Sequence, residues 1–372
     1  MRKTLKYRIY PTKAQIRGLE GQIDICRKLY NYLLDFNRER YQRQGLKTNL
    51  YDQNRHVVQL KILEPSLGTV NAQVLQQVST RVSLAFQGFF RRVRAGQIPG
   101  YPRFKTDDRY HSLTYPQWCG NLKIIGGNRI GLPGIGNVKL HFHRPLEGNP
   151  KTVTVRRTAT GKWFVTISCD QVPVDRFPPT GKNVGIDVGK ITFAVGSDGL
   201  VIKRKKFLKH DQDRIAKTKA KLARIEDKAT RGRVRRNLAK LYEHVTNRRL
   251  DWCHKQANEV IKNYDVICVE KLDIGSMLGG GSRDENRNTG DVAWGLFRQL
   301  LTYKAEEAGR LVVAVNPCNT TKRCSNCSQL KPMPTNIRTY ECPCCPLVMD
   351  RDLNAAINIL RLGTQSLTAN PV

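Results

Sequence analysis

Apolar and polar side chains alternate through "RKTLKYRIY" at residues 2–10, which predicts a strand. Pro11 and Thr12 then open a stretch with helical spacing, "AQIRGLEGQIDICRKLYNYLLDFNRERYQRQG". A second helix is predicted from Asn71 to Arg94, where Val74, Leu75, Val78, Val82, Phe86, Phe89 and Phe90 recur at spacings of three and four and form a packing stripe. Arg91, Arg92 and Arg94 spill onto its exposed end. From "IPGYPRFK" at 98–105 the texture changes to Gly, Pro and short alternating runs such as "NVKLHFH", "TVTVRR" and "GKWFVTISCD". These predict a small barrel or sandwich. Because residues 2–10 also read as a strand, the first helices form an insertion between two parts of one β domain.

"QVPVDRFPPTGK" at 171–182 carries three prolines and reads as a domain boundary. Beyond it, "VGIDVGKITFAVGSDGLVI" joins two apolar runs in a hairpin, and 209–263 form a basic helical region broken or turned near Gly232. "YDVICVEKL" at 264–272 is a buried strand, and the glycine-rich 275–290 after it reads as a lid. A helix, "AWGLFRQLLTYKAEEAGR", and a strand, "LVVAVN", lead to a helix start in "LVMDRDLNAAINIL" at 347–360. This alternation describes an α/β sheet. The tail at 363–372 is expected to be disordered.

Charge narrows the field of partners. Of 372 residues, 64 are Lys or Arg against 31 Asp or Glu, a formal charge of +33. Self-repulsion on that scale implies a polyanionic partner. Residues 201–250 hold 18 basic against 5 acidic side chains, more than intrahelical pairing neutralises, so a phosphate-facing helical pair that includes Arg235 and Arg236 is expected. There is no run of about 18 apolar residues and no signal-like start, so a cytoplasmic, nucleoid-associated chain with no membrane partner is expected.

Three carboxylates sit where apolar residues are the rule. Asp187 lies inside "VGIDVG", Glu270 ends "VICVE", and Asp350 and Asp352 fall at the helix start. A carboxylate in such a strand is costly unless paired, protonated or bound to metal. Clustered acids would repel one another, and two divalent cations about 4 Å apart would relieve that repulsion and make a phosphodiester-cleaving site. Hard oxygen donors favour Mg²⁺ or Mn²⁺.

The cysteines divide differently. Of eleven, six are scattered and five crowd between 324 and 345, which points to metal in a reducing compartment. "CSNC" at 324–327 and "CPCC" at 342–345 supply two C-x-x-C pairs, the spacing of a closed structural Zn²⁺ site on Cys324, Cys327, Cys342 and Cys345. Cys344 is an extra thiol that could replace Cys345. Lys322 and Arg323 beside the knuckle are candidates for nucleic-acid contact.

"GIDVGKITFAVGSDG", "VICVEKL" and "DRDLNAAINILRLG", with the cysteine pairs before the last, resemble the three motifs of a RuvC-like nuclease of the TnpB family of transposon-encoded proteins, relatives of the CRISPR type V effectors. "YRIYPTKAQ" and "GYPRFK" extend the resemblance over nearly the whole chain. It implies an RNA-guided DNA endonuclease whose guide RNA, encoded by the transposon, pairs with target double-stranded DNA beside a short motif read by the protein. It implies a β-barrel at 1–10 and 98–175, a helical recognition domain at 11–97, an RNase H-like nuclease domain at 180–318 and 347–362, and a zinc ribbon at 319–346. Carried over by motif, Asp187, Glu270 and Asp352 are the metal-binding triad, Asp352 being preferred because Asn354 follows it in a D-x-N slot; Asp350 is then a helix cap. The competing readings are a catalytically silent guided repressor, a strand-transfer transposase and a plain zinc-ribbon RNA-binding module.

Overall fold

The structure is a computed structural model that describes residues 1–273, 293–334 and 336–369. The expected lid at 275–290 lies outside the described residues. Two compact units, Met1–Pro173 and Val174–Val372, meet inside the proline-rich stretch read as a boundary.

In the first unit, β1 (Lys3–Tyr10) is central to a seven-stranded antiparallel sheet. Its neighbours are β7 (Trp163–Asp170) and β5 (Gly136–His141), so the N-terminal strand is completed by segments more than a hundred residues away. Leu5, Tyr7 and Ile9 bury one face of β1, opposite which Val165 and Ile167 continue the core. Between β1 and β2 (Ser112–Tyr115) the chain forms α1 (Lys13–Gln44), α2 (Leu50–Leu63) and α3 (Ala72–Arg94). Thr12 and Gln15 form a reciprocal cap on α1, and Gly45 ends it at φ 65°. Sequence pattern misses α2, because only Gln53 and Val57 on it are buried. The stripe of α3 is buried through Val82, but Phe90 is exposed; Phe86 and Phe89 meet Tyr101 edge-on instead of entering the core.

The second unit holds a five-stranded sheet built from β8 (Asn183–Val188), β9 (Ala194–Gly196), β10 (Val201–Ile202), β11 (Val266–Glu270) and β12 (Leu311–Val315), in the order β10-β9-β8-β11-β12. β8, β11 and β12 run parallel, whereas β8–β9 is the expected hairpin. The basic region divides into α4 (Gln212–Arg224) and α5 (Lys228–Asn263). The break falls at Ile225–Asp227 and not at Gly232, because the Asp227 carboxylate accepts hydrogen bonds from the Ala229 and Thr230 amides and starts a new helix there. After α6 (Trp294–Ala308) and β12, a short ribbon of β13 (Thr339–Glu341) and β14 (Val348–Asp350) leads into α7 (Arg351–Ala369).

α7 corrects the expected tail: residues 363–369 are helical. Gly363 packs so closely on β11 that a Cβ there would lie 2.8 Å from Cys268 Cβ. Gly185 does the same from the sheet side, where a Cβ would lie 2.5 Å from Leu360 N and nearer still to the Ala356 carbonyl oxygen. Two missing side chains thus let the helix backbone lie against β8 and β11.

Candidate functional site

Parallel pairing sets the first two carboxylates. Val269 of β11 is in register with Ile186 of β8, so Asp187 and Glu270 are the next residues along neighbouring strands, both at carboxyl-terminal ends, where open α/β sheets place ligands. Close packing of α7 on Gly185 brings the third: a Cβ on Gly189, two residues past Asp187, would stand 3.6 Å from Asp352 Oδ2. Segments far apart in the chain therefore deliver three acids to one place.

The electrostatics follow from that crowding. Burial pushes the Asp187 carboxyl well above the ordinary carboxylate range, the charges of Glu270 and Asp352 push it further, and Arg351 opposes them. Burial also raises Glu270, against the Thr320 hydroxyl, which donates to Glu270 Oε1 at 2.5 Å. Asp352 is only 5 % exposed and is ion-paired with Arg338, which immediately precedes β13. Asp350 takes the cap role expected of it, accepting from the amides of Asp352 at 2.8 Å and Leu353 at 3.2 Å.

With Arg338 on Asp352 and Thr320 on Glu270, the three carboxylates, among the described residues, do not draw together as the cysteine sulfurs do. The donor set suits a hard divalent cation, and Arg338 is the group with which such a cation would compete.

The four expected cysteines do converge. The sulfurs of Cys324, Cys327, Cys342 and Cys345 all lie within 4.8 Å of one another, with Cys324–Cys345 at 3.7 Å and Cys327–Cys342 at 3.4 Å. A tetrahedron of Zn–S bonds of about 2.3 Å has edges of roughly 3.8 Å, so the set fits zinc. The Leu347 amide and then Asn326 push the Cys345 thiol down to about 6. At Cys327 the Gln329 amide lowers the pKa, but proton sharing with Cys342 and its neighbours outweighs it and pushes the thiol up to about 12. A first thiolate therefore forms at Cys345, as a metal-binding cluster requires. Cys344 stays outside the four; its backbone amide donates to Cys342 Sγ at 3.4 Å.

The Asn of the D-x-N slot has a mechanical task. Asn354, fully buried, accepts from the Ser325 amide at 2.9 Å and donates to the Arg323 carbonyl at 2.8 Å. One turn on, Asn358 donates to the carbonyls of Thr320 and Arg323. These two amides bolt the cysteine ribbon to α7 and hold Asp352 and Thr320 in relation to each other.

Of the expected nucleic-acid residues, Lys322 is exposed and Arg323 half-buried beside the ribbon, Arg91 and Arg92 are exposed in the last turn of α3, and Arg235 and Arg236 are exposed on α5. Sequence reasoning missed Arg338 and Thr320. Each is a common residue type in a polar stretch, and only the fold selects its partner.

Three family models match: "Helix-turn-helix domain" over 1–46, "Probable transposase" over 166–279, and "Cas12f1-like, TNB domain" over 294–359. In the structure the first span is β1 followed by the single 32-residue helix α1, not two helices about a turn. A Streptomyces pristinaespiralis protein named "Putative RNA-guided DNA endonuclease" is 29% identical across 98% of this chain and 90% of its own. Escherichia coli K12 InsQ, given the same description, is 29% identical across 78% of this chain and 74% of its own. A solved structure titled "Structure of the mini-RNA-guided endonuclease CRISPR-Cas_phi3" aligns over 98% of this chain and 92% of its own, with a TM-score of 0.50 and 11% identity, a likeness of fold. Fold and cysteine cluster together define a multidomain protein of the Cas12-like class. Within that class, the matched models and relatives make the chain a member of the TnpB family.

Proposed function

We propose that the protein is an RNA-guided DNA endonuclease of a transposable element, with Asp187, Glu270 and Asp352 as its catalytic carboxylates. The observation that carries this reading is the convergence of those acids from β8, β11 and α7 into one field that raises the Asp187 pKa. A carboxylate cluster that repels itself is poised to take divalent cations. The strand order β10-β9-β8-β11-β12, with β9 antiparallel to β8 and three parallel strands beyond, supports an RNase H-like domain at 180–318 and 347–362. The seven-stranded sheet at 1–10 and 98–175 supports a β-barrel domain interrupted by helical residues 11–97. The ribbon at 319–346 fits structural zinc.

Mg²⁺ or Mn²⁺ bound by the triad would supply an activated water and stabilise the leaving oxygen of a phosphodiester. The chain's own residues hold the site in shape: Thr320 orients Glu270, Asp350 caps the helix that presents Asp352, and Asn354 and Asn358 fix the ribbon to it. Base pairing by a transposon-encoded guide RNA would supply sequence recognition, and the charge of +33 suits gripping that RNA and the target duplex. The names borne by the relatives support the same activity. One observation favours a silent, guided DNA-binding protein instead: Arg338 already neutralises Asp352. Sequencing RNA that co-purifies with the expressed protein, followed by incubation with matching duplex DNA and Mg²⁺, decides. A discrete RNA with guided cutting supports the endonuclease, a discrete RNA with binding alone the silent reading, and no discrete RNA refutes both.

A further inference from the structure

A cavity of about 350 Å³ opens between the cysteine ribbon and α7. Arg323 and Arg361 line it together with Thr320, Ser328, Asn358 and Cys318, and no carboxylate contributes to its lining. The two guanidiniums come from positions 38 residues apart and are both half-buried. Arg323 spends one donor on the Ser328 carbonyl, and Arg361 donates to Ser328 Oγ and Asn358 Oδ1. Neither has an acidic partner among the described residues. In a chain with this much basic charge, free arginines on the surface are unremarkable. Here the neutral partners hold two of them in fixed orientation at one concave site, where their charges repel and several N–H donors remain.

The geometry points to a binding site for one backbone phosphate of a nucleic-acid strand, held between the guanidiniums of Arg323 and Arg361. Guanidinium forks match phosphate oxygens bidentately, and an anion relieves the repulsion between them. The source of the phosphate follows from the wall the cavity shares with the acidic centre: Thr320 lines the cavity and its hydroxyl donates to Glu270 Oε1. A strand engaged at the carboxylates would pass a neighbouring phosphate to this pocket. The site deepens the nuclease reading and rests on it for that source alone.

Cys318 gives the test, because it is exposed and lines the same cavity. The 372-residue chain is treated with iodoacetamide, with and without a short oligothymidylate and in the absence of added divalent cation, and labelling is read at each cysteine by mass spectrometry. Exposed Cys344 is the internal control. At saturation the oligonucleotide is expected to slow labelling of Cys318 on the order of tenfold and that of Cys344 far less, because the strand shields the cavity directly. Arg361→Gln should lose this protection and lower the slope of log affinity against log salt by about one phosphate contact, with Arg361→Lys retaining part of both. Wild-type protein that binds the oligonucleotide in a gel shift yet leaves Cys318 fully reactive overturns the proposal and leaves the nuclease reading standing. Protection by inorganic phosphate but not by the oligonucleotide also overturns it. A chain that binds no nucleic acid at all overturns both.

Discussion

Replacing Gly185 by Ala tests how the third carboxylate is delivered. The new methyl would sit 2.5 Å from Leu360 N and 2.9 Å from Leu360 Cβ, and nearer to the Ala356 carbonyl oxygen. Ordinary contact begins near 3.5 Å, so α7 must back away from β8 on the order of 1 Å. Its obstacles are helix backbone, which cannot rotate aside as a long side chain would. Overpacking of this kind costs about 1–3 kcal/mol, and the rigid neighbours place this case toward the upper end. For a unit of this size each kcal/mol shifts Tm by about 2–4 °C, which puts the expected loss near 4–10 °C. Because Asp352 is one turn before Ala356 on α7, affinity for Mn²⁺ should fall as well. Gly232→Ala is the control: it lies inside α5 with nothing within 4 Å of the added methyl, and should be neutral or stabilising by about 0.5–1 kcal/mol. The assay is circular-dichroism melting of all three proteins, with Mn²⁺ titrated calorimetrically. Equal melting of Gly185→Ala and wild type, with unchanged Mn²⁺ binding, would refute the packing argument.

Other changes report on other parts of the site. Arg338→Gln removes the cation that pairs with Asp352, so Mn²⁺ should bind about three- to tenfold tighter by calorimetry; weaker binding would mean that Arg338 supports the site and does not compete for it. Asp187 has a raised folded pKa, so its contribution to stability is complete below the ordinary value of 3.8 and is lost as the pH climbs through the raised value. Asp187→Asn should therefore raise Tm near neutral pH by about 3–6 °C without divalent cation and flatten the wild-type decline with rising pH; a lower Tm across that range would contradict the crowding of the acids. Zinc chelation, or Cys345→Ser, should loosen the ribbon and expose the Asn354 and Asn358 clamps to amide exchange, whereas Cys344→Ser should leave metal content at one zinc per chain; an equal loss in both variants would place Cys344 among the ligands.

The parts of this architecture that announce themselves in the sequence are those where residue type conflicts with its surroundings. Asp187 and Glu270 stand out because a strand interior normally excludes charge, and the cysteine pairs because their spacing has few other uses. α1 and the upper part of α3 show a full apolar stripe, but α2 buries too little to show one. Gly232 looked like a helix break because glycine weakens helices, yet the break is made by the capping side chain of Asp227. The polar tail looked unstructured because the small contact that orders it, Gly363 on Cys268, joins residues nearly a hundred positions apart. Arg338, Thr320 and Arg361 were invisible for the same reason: their roles depend on partners chosen by the fold.

The most direct measurement is guided cleavage of a matched DNA duplex by the protein with its co-purified RNA in Mg²⁺, comparing wild type with Asp187→Asn, Glu270→Gln and Asp352→Asn. The expected result is cutting by wild type, and loss of cutting on the order of a hundredfold or more in each variant while RNA and DNA binding persist. Undiminished cutting by any of the three would contradict the account.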